Sequence, residues 1–209
     1  MSADVKHHDG QTTTGRRKRR AWKRLLRSRD GAAAIEFAIL SIPYFIIIFA
    51  IIETFAAYTA EQLVTNAVNT MARELRTGNI TFNRGGSTDM TEAQFREAFC
   101  DEISIMISCS AAEVETPAKL YLDVETLPSF EAIADKASIP RVGGDFSDLD
   151  TSAFQFAPGG PNTINLLRAY YRWNVTFDLL RSLTHIRPDS DTQQILIIAT
   201  TAFRSEDYP

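Results

Sequence analysis

The stretch FAILSIPYFIIIFAII, residues Phe37–Ile52, runs for sixteen residues without a charged side chain. Small and apolar residues extend it to Ala32 and Tyr58, with one carboxylate near each end, Glu36 and Glu53. A helix needs ~20 residues to cross the ~30 Å hydrocarbon core of a bilayer. This segment therefore predicts a transmembrane helix, residues 32–58. The alternative is a helix buried in a soluble core, which would require apolar cover on every side.

Charge is distributed unevenly over the 209 residues. Residues 1–30 contain ten Lys/Arg and three Asp/Glu, whereas the other 179 residues contain 12 Lys/Arg and 23 Asp/Glu. Because basic residues beside a membrane span stay in the cytoplasm, we expect a basic cytoplasmic leader, residues 1–31, and an acidic body outside the cytoplasm. The run Arg16–Arg29 could also bind nucleic acid, but its position beside the span favours the topological role. No nucleic-acid partner is expected.

A cleaved secretory signal peptide is the nearest alternative for the apolar segment. Its cleavage site requires small residues at two fixed positions, and Thr54-Phe55-Ala56 fits that pattern weakly. The apolar run is long for a signal peptide, and Glu53 lies where the cleavage site should be. A permanent or separately processed membrane helix is therefore favoured.

A short motif, GAAAIEF at Gly31–Phe37, stands where the leader meets the apolar helix. The carboxylate of Glu36 is unfavourable in a membrane helix unless another group compensates its charge. Cleavage after Gly31 would give Ala32 an α-ammonium group four residues before Glu36, on one helix face. Glu36 could equally pair with that amine in a neighbouring copy.

The motif and its surroundings, RSRDGAAAIEFAILSIPYFIIIFAIIETFAAYTAEQLVTNAVNTMARELRTG at residues 27–78, resemble the TadE-like pilus assembly proteins. These are minor pilins or pseudopilins of the Flp/Tad class of type IV pili. The resemblance implies a pilin-like fold, cleavage by a prepilin peptidase between Gly31 and Ala32, and an assembly role for Glu36 followed by the motif aromatic Phe37. It implies the inner membrane, the peptidase, other Tad pilins and pilus assembly proteins as partners.

Beyond the span, the helix is expected to continue as an extension, residues 59–78. Apolar residues recur there at a spacing of 3–4, and Gly78 is a suitable stop. The helix as a whole should run from about Ala33 to Arg76 and bend at Pro43. Its outer half should pack on the body through one apolar stripe: Ala60, Val64, Ala67, Val68, Met71, Ala72 and Leu75.

Residues 79–209 predict an α+β body. Thr91 to Gln94 forms a capping-box pattern at the start of a second helix. Alternating residues then predict three strands, and together these suit a small antiparallel sheet with helix on one face. The long connection between the first two strands, 128–161, is either a binding surface or a plain loop. The strands are Leu120–Glu125, Leu167–Phe177 and Gln194–Phe203.

Cys100 and Cys109 lie in the part assigned to the oxidising periplasm. On an unbroken helix they would be ~13 Å apart, beyond the reach of a disulfide. A Cys100–Cys109 disulfide therefore predicts that the helix ends before Cys109 and the chain folds back. The alternative is two free buried thiols. A metal site is not expected, because no third or fourth candidate ligand lies nearby in sequence.

Nothing in the sequence predicts catalysis or a cofactor. His185 has Ser182 and Asp178 nearby in sequence, but a Ser/His/Asp triad is recognised by geometry rather than by proximity in sequence. The leading hypothesis is a TadE-like minor pilin in the inner membrane, with a cytoplasmic N-terminus and a periplasmic body. The alternatives are an unprocessed, single-pass, membrane-anchored periplasmic binding or sensing module, and a membrane-tethered enzyme.

Overall fold

The computed structural model describes residues 29–143, 147–174 and 194–208. Most of the predicted leader, the residues around His185 and the predicted end of the second strand at Phe177 lie outside these ranges. The described elements are three helices followed by three strands, with one 3₁₀ helix after the first strand, as expected of an α+β protein. They are α1 (Arg29–Thr77), α2 (Glu92–Ile103), α3 (Ala111–Glu115), β1 (Leu120–Leu127), a 3₁₀ helix (Glu131–Lys136), β2 (Ile164–Asn174) and β3 (Gln194–Arg204).

The long predicted helix is confirmed as α1, which begins at Arg29 and ends at Thr77. It ends because Gly78 adopts a left-handed backbone conformation with φ of 77°, which an L-residue with a side chain adopts only with strain. The Gly78 amide donates to the carbonyl of Leu75, one of the carbonyls left free at a helix end. Pro43 lies inside α1, and the bend expected there stays a prediction.

The chain divides into two compact units, with the boundary between Phe49 and Ala50. The first unit contains the apolar part of α1. Within the described ranges, α1 is the one helix that is long and apolar enough to cross a membrane, over Ala32–Thr77 with a mean hydropathy of 2.5 in its most apolar window. The second unit contains the rest of α1 and the body.

The three predicted strands form one antiparallel sheet in the order β1-β2-β3. Leu122 pairs with Ala169 and Ala169 with Ala199, so residues of like kind face one another across the sheet. β2 begins at Ile164, three residues before the predicted Leu167. The earlier start is explained by β1, which continues to Leu127 and pairs it with Ile164.

One face of this sheet carries the hydrophobic core. The predicted stripe of α1 is buried against it, with Ala60 and Val64 fully inaccessible. α2 contributes Phe95, Phe99 and Ile103, which are also fully buried, and its predicted Thr91–Gln94 capping box is present. The helix-on-sheet packing inferred from periodicity is therefore confirmed. The sheet supplies Leu120, Leu122, Val124, Leu167, Ala169, Ile197, Ala199 and Phe203 to this core.

The described parts of the connection between β1 and β2 lie over the opposite face of the sheet and along the edge of β1; we call residues 128–143 and 147–163 the cover. The ring of Phe154 stacks on that of Tyr170, with 5.1 Å between centroids. At the edge of β1, the backbone of Gln155 and Ala157 bonds to Val124 at 2.7 and 2.8 Å, and Phe156 between them joins the core on the helix side. The long connection is thus part of the packed body, and the alternation of β1 and β2 gave no sign of this cover.

Candidate functional site

The predicted cleavage junction, Gly31–Ala32, lies in the first turn of α1. Three successive alanines follow Gly31, and alanine has the highest intrinsic helix propensity. This run explains why α1 is helical from its first turn.

Glu36 and Phe37 follow one turn after Ala32, and all three side chains are exposed, Phe37 to 72%. Within the described chain, Glu36 has no ion pair. A lone carboxylate on a helix surface is unremarkable in water. It requires a partner in a bilayer, and such a partner would have to come from another group or another chain.

The helix surface around Glu36 is apolar on all sides. No residue in its most apolar window is buried. Such a helix is stable only where lipid or another apolar surface replaces water. Large exposed side chains include Ile39, Leu40, Ile42, Phe45, Ile47, Ile51 and Phe55, all more than half exposed.

Glu53, the second carboxylate of the apolar segment, has a different environment. It belongs to the second compact unit and is only 7% exposed. The body therefore begins to cover one face of α1 at Glu53, before the predicted end of the span at Tyr58. The two glutamates that look alike in sequence thus differ: one is exposed and the other is enclosed by protein.

The predicted disulfide joins Cys100 to Cys109, with 5.8 Å between their Cα atoms. α2 ends at Ile103, and the amide of Ser104 turns back to the carbonyl of Asp101. The prediction that the helix must end before Cys109 is therefore confirmed. The disulfide closes a loop that leads from α2 into α3.

A network of buried charges lies between the sheet and the cover, and it was not recognised in the sequence. Arg168 donates from Nη2 and Nε to one oxygen of Asp123, at 2.6 and 3.2 Å. Asp123 is 2% exposed, and its other oxygen accepts from the amide of Gln155 at 3.1 Å. Lys136 of the cover bonds Glu125 at 2.9 Å, and Arg168 also donates to the Lys136 carbonyl at 3.0 Å.

This network ties the cover to the sheet. Asp123 and Arg168 are direct partners in the register of β1 and β2, and opposite charges facing each other across strands stabilise the pairing. Both were visible as polar residues in alternating strands. The ion pair could have been predicted only from opposite charges at paired positions of β1 and β2. Those positions are known only once the register of the two strands is known.

A second anchored carboxylate, Asp89, organises the turn between α1 and α2. One oxygen accepts from the hydroxyl of Thr81 at 2.5 Å, and the other accepts from the amides of Arg84 and Gly85. The Thr81 hydrogen bond makes the largest contribution to holding the pKa of Asp89 below its ordinary 3.8. Within the described ranges, no cluster of three or more His, Cys, Asp or Glu could hold a metal ion.

Comparison with known proteins gives one match. No curated protein and no solved structure matches the chain. Residues 31–73 match the sequence model of a family described as TadE-like protein. This range begins at Gly31, includes Glu36 and Phe37, and ends within the last turns of α1. The resemblance to TadE-like proteins is therefore confirmed for the segment that forms most of α1.

Proposed function

We propose that this protein is a minor pilin or pseudopilin that takes part in the assembly of a Tad/Flp-type surface pilus. The observation that carries the proposal is the match of residues 31–73 to the TadE-like family over a helix whose apolar surface is exposed. The long α1 joined to a small α+β body agrees with a pilin-like architecture. The role is structural and requires neither a cofactor nor catalysis.

The proposed location is the inner membrane, with the leader in the cytoplasm and the body in the periplasm. The excess of positive charge in residues 1–30 supports this orientation. The disulfide between Cys100 and Cys109 supports it independently, because disulfides persist in oxidising compartments such as the periplasm.

A prepilin peptidase is the proposed processing partner, and it would cleave between Gly31 and Ala32. The junction lies in the first turn of α1, so the peptidase would have to unwind that turn to reach the peptide bond. Glycine assists this step, because it is the residue least committed to a helix after proline. Cleavage would remove the basic leader and make Ala32 the mature N-terminus.

Glu36 is the proposed assembly carboxylate. It is exposed, and within the described chain it has no ion pair. After cleavage, the Ala32 amine of the same or a neighbouring subunit could compensate its charge inside the membrane. Its partners in assembly would be other Tad pilins and pilus assembly proteins.

Mass spectrometry of the protein extracted from its native membranes tests this proposal. We expect a mature chain that starts at Ala32. Gly31→Leu should leave the full-length mass, because a bulky side chain blocks the peptidase. Glu36→Ala should still insert into the membrane, since it removes an unfavourable charge, but should reduce piliation.

Glu61→Ala is the matched control, because Glu61 is an exposed glutamate of α1 beyond the apolar segment. It should be processed and support normal piliation. If the wild-type chain keeps its leader, and both Gly31→Leu and Glu36→Ala support normal piliation, the pilin proposal is wrong. The unprocessed membrane-anchored module would then replace it.

A further inference from the structure

Two opposite faces of α1 stop being exposed and apolar at different positions along the helix. On the face toward the body, Glu53 is 7% exposed and Ala60 is fully buried. On the opposite face, Ile51, Phe55 and Tyr58 are 62%, 70% and 58% exposed. That face becomes polar only at Gln62, one turn later. Between Glu53 and Tyr58, about 8 Å of helix therefore has body on one side and an apolar surface on the other.

The orientation of the sheet shows which part of the body lies beside this overlap. The amide of Glu206, just after β3, donates to the carbonyl of Arg76 at 2.9 Å. The end of β3 therefore lies beside the end of α1. Because Ala60 to Leu75 of α1 share one hydrophobic core with the sheet, the other end of the sheet lies toward Ala60. That end is where Trp173 of β2 pairs with Ile195 of β3.

The loop closed by the disulfide lies at the same end. Leu120, the first residue of β1, pairs with Tyr171 near the end of β2. Glu113 of α3 accepts hydrogen bonds from the amides of residues 118–120, which fixes α3 against the start of β1. Cys109 stands directly before α3 and is bonded to Cys100, so the loop 104–109 cannot lie far from this end.

This loop presents apolar side chains to the outside. Ile105 is 90% exposed and Met106 is 38% exposed, although their neighbours Ile103 and Ile107 are buried. The disulfide and the two buried isoleucines hold the loop from both sides. An isoleucine exposed to this degree gains by leaving water.

We propose that this end of the body rests in the membrane interface, with Ile105 and Met106 in contact with lipid. The inference requires that α1 spans a membrane, as proposed above. If the span ends at Tyr58, body residues level with Tyr58 lie at the depth of the lipid head groups. The occupant of the exposed surface is therefore the bilayer itself, because the exposed apolar residues Ile51 and Phe55 of α1 lead away from the body at this same end.

The contact is apolar rather than electrostatic. The exposed charged groups in the sequence around the loop are Asp101, Glu102, Glu115 and Lys119, so this end carries an excess of negative charge. Anionic lipids attract basic segments, and no such attraction is expected here. Contact with lipid should therefore be no stronger in anionic than in zwitterionic bilayers.

Photo-crosslinking in the full-length protein tests the proposal. The photoreactive residue p-benzoylphenylalanine replaces Ile105 in protein reconstituted into phosphatidylcholine vesicles, and again into vesicles that contain phosphatidylglycerol. Phe45, which is 51% exposed in the predicted span, is the positive control. Phe130, 49% exposed just beyond the far end of β1, is the matched negative control. Mass spectrometry then identifies lipid adducts.

We expect lipid adducts at positions 45 and 105 in both vesicle types, and only background at position 130. An adduct at position 45 with background at 105 would overturn this inference and leave the membrane anchor intact. Background at position 45 would overturn both proposals. Adducts of position 105 with protein in place of lipid would assign the surface to a partner chain and equally overturn the lipid contact.

Discussion

The apolar half of α1 and the sheet of the body differ in which side chains they expose and which they bury. In α1, between Ala32 and Phe49, apolar side chains cover the outside and one carboxylate, Glu36, stands exposed among them. In the body, the apolar side chains are inside, and even charged groups such as Asp123 and Arg168 are buried as a pair. The difference shows that the two parts are built for different surroundings. The first needs an apolar medium, whereas the second pairs buried charges such as Asp123 and Arg168 internally.

The largest effect is expected from charging the outer surface of α1. Ile42→Asp with Ile47→Asp places two carboxylates on side chains that are 62% and 59% exposed. Each costs about 2.5–3.5 kcal/mol at the centre of a membrane helix. The variant should lose membrane integration, measured as protein released from membranes by alkaline extraction.

The matched control for this variant is Asn66→Asp with Asn69→Asp, which adds the same charges to exposed positions of α1 within the body. The control should remain in the membrane fraction. Equal extraction of the two variants would show that the exposed apolar surface does not contact lipid.

The buried ion pair should give the next largest effect. Arg168→Met removes the cation but keeps a similar volume, and leaves Asp123 charged at 2% exposure. Breaking a buried pair in this way costs about 3–5 kcal/mol. Urea unfolding of the full-length protein in detergent, followed by near-UV circular dichroism, measures the loss of stability.

Arg76→Met provides the comparison for Arg168→Met. Arg76 pairs with Glu206 at 3.3 Å, but both side chains are about half exposed, and such pairs contribute about 0–1 kcal/mol. If the two variants lose the same stability, the network under the cover does not hold the body together.

Reduction of the disulfide should have a smaller effect. The bond closes a loop of nine residues in sequence separation, for which chain entropy predicts about 2–3 kcal/mol. Reductant should lower the urea midpoint of the wild-type protein to that of the variant Cys100→Ser with Cys109→Ser. The variant should not respond to reductant. If the wild-type urea midpoint is the same with and without reductant, the disulfide does not form in the protein.

How far the sequence predicts the structure depends on whether each signal is local. The extent of α1, the capping box at Thr91 and the end of α2 before Cys109 follow from residues within a few turns of one another. The burial of Asp123 and Glu125 does not, because the residues that cover them, such as Lys136 and Gln155, come later in the chain. Alternation marks these carboxylates as polar but cannot show that a connection folds over them.

The candidate site shows the same limit. The motif Gly31–Phe37 is contiguous and was found from its residues alone, whereas the burial of Glu53 depends on the fold of the body. Ile105 is the same residue type as its buried neighbours Ile103 and Ile107, so its type does not distinguish it from a core residue. Its 90% exposure depends on how the chain turns between the end of α2 and Cys109, which the residue types do not show.

The smallest effect is expected in the turn held by Asp89. Thr81→Val removes the hydroxyl that makes the largest contribution to lowering the pKa of Asp89, so that pKa should rise toward its ordinary value. A lowered folded-state pKa stabilises the protein above the unfolded-state pKa, and this stabilisation is lost as the pH falls through the folded-state pKa. The wild-type turn should therefore persist to more acidic pH than the variant.

NMR titration of the carboxyl carbons measures this difference. The pKa of Asp150, lowered mainly by its hydrogen bond from Ser152, is the internal control and should not change. If the pKa of Asp89 is unchanged in Thr81→Val, the backbone amides rather than Thr81 lower the pKa of this carboxylate.

The position of the body relative to the membrane tests the central claim most directly. A reporter enzyme that folds only outside the cytoplasm, fused to the C-terminus of the full-length protein, measures that position. The account predicts an active reporter, because the positive leader stays in the cytoplasm and α1 carries the chain across. An inactive reporter, together with activity of a cytoplasm-only enzyme at the same junction, would contradict the account.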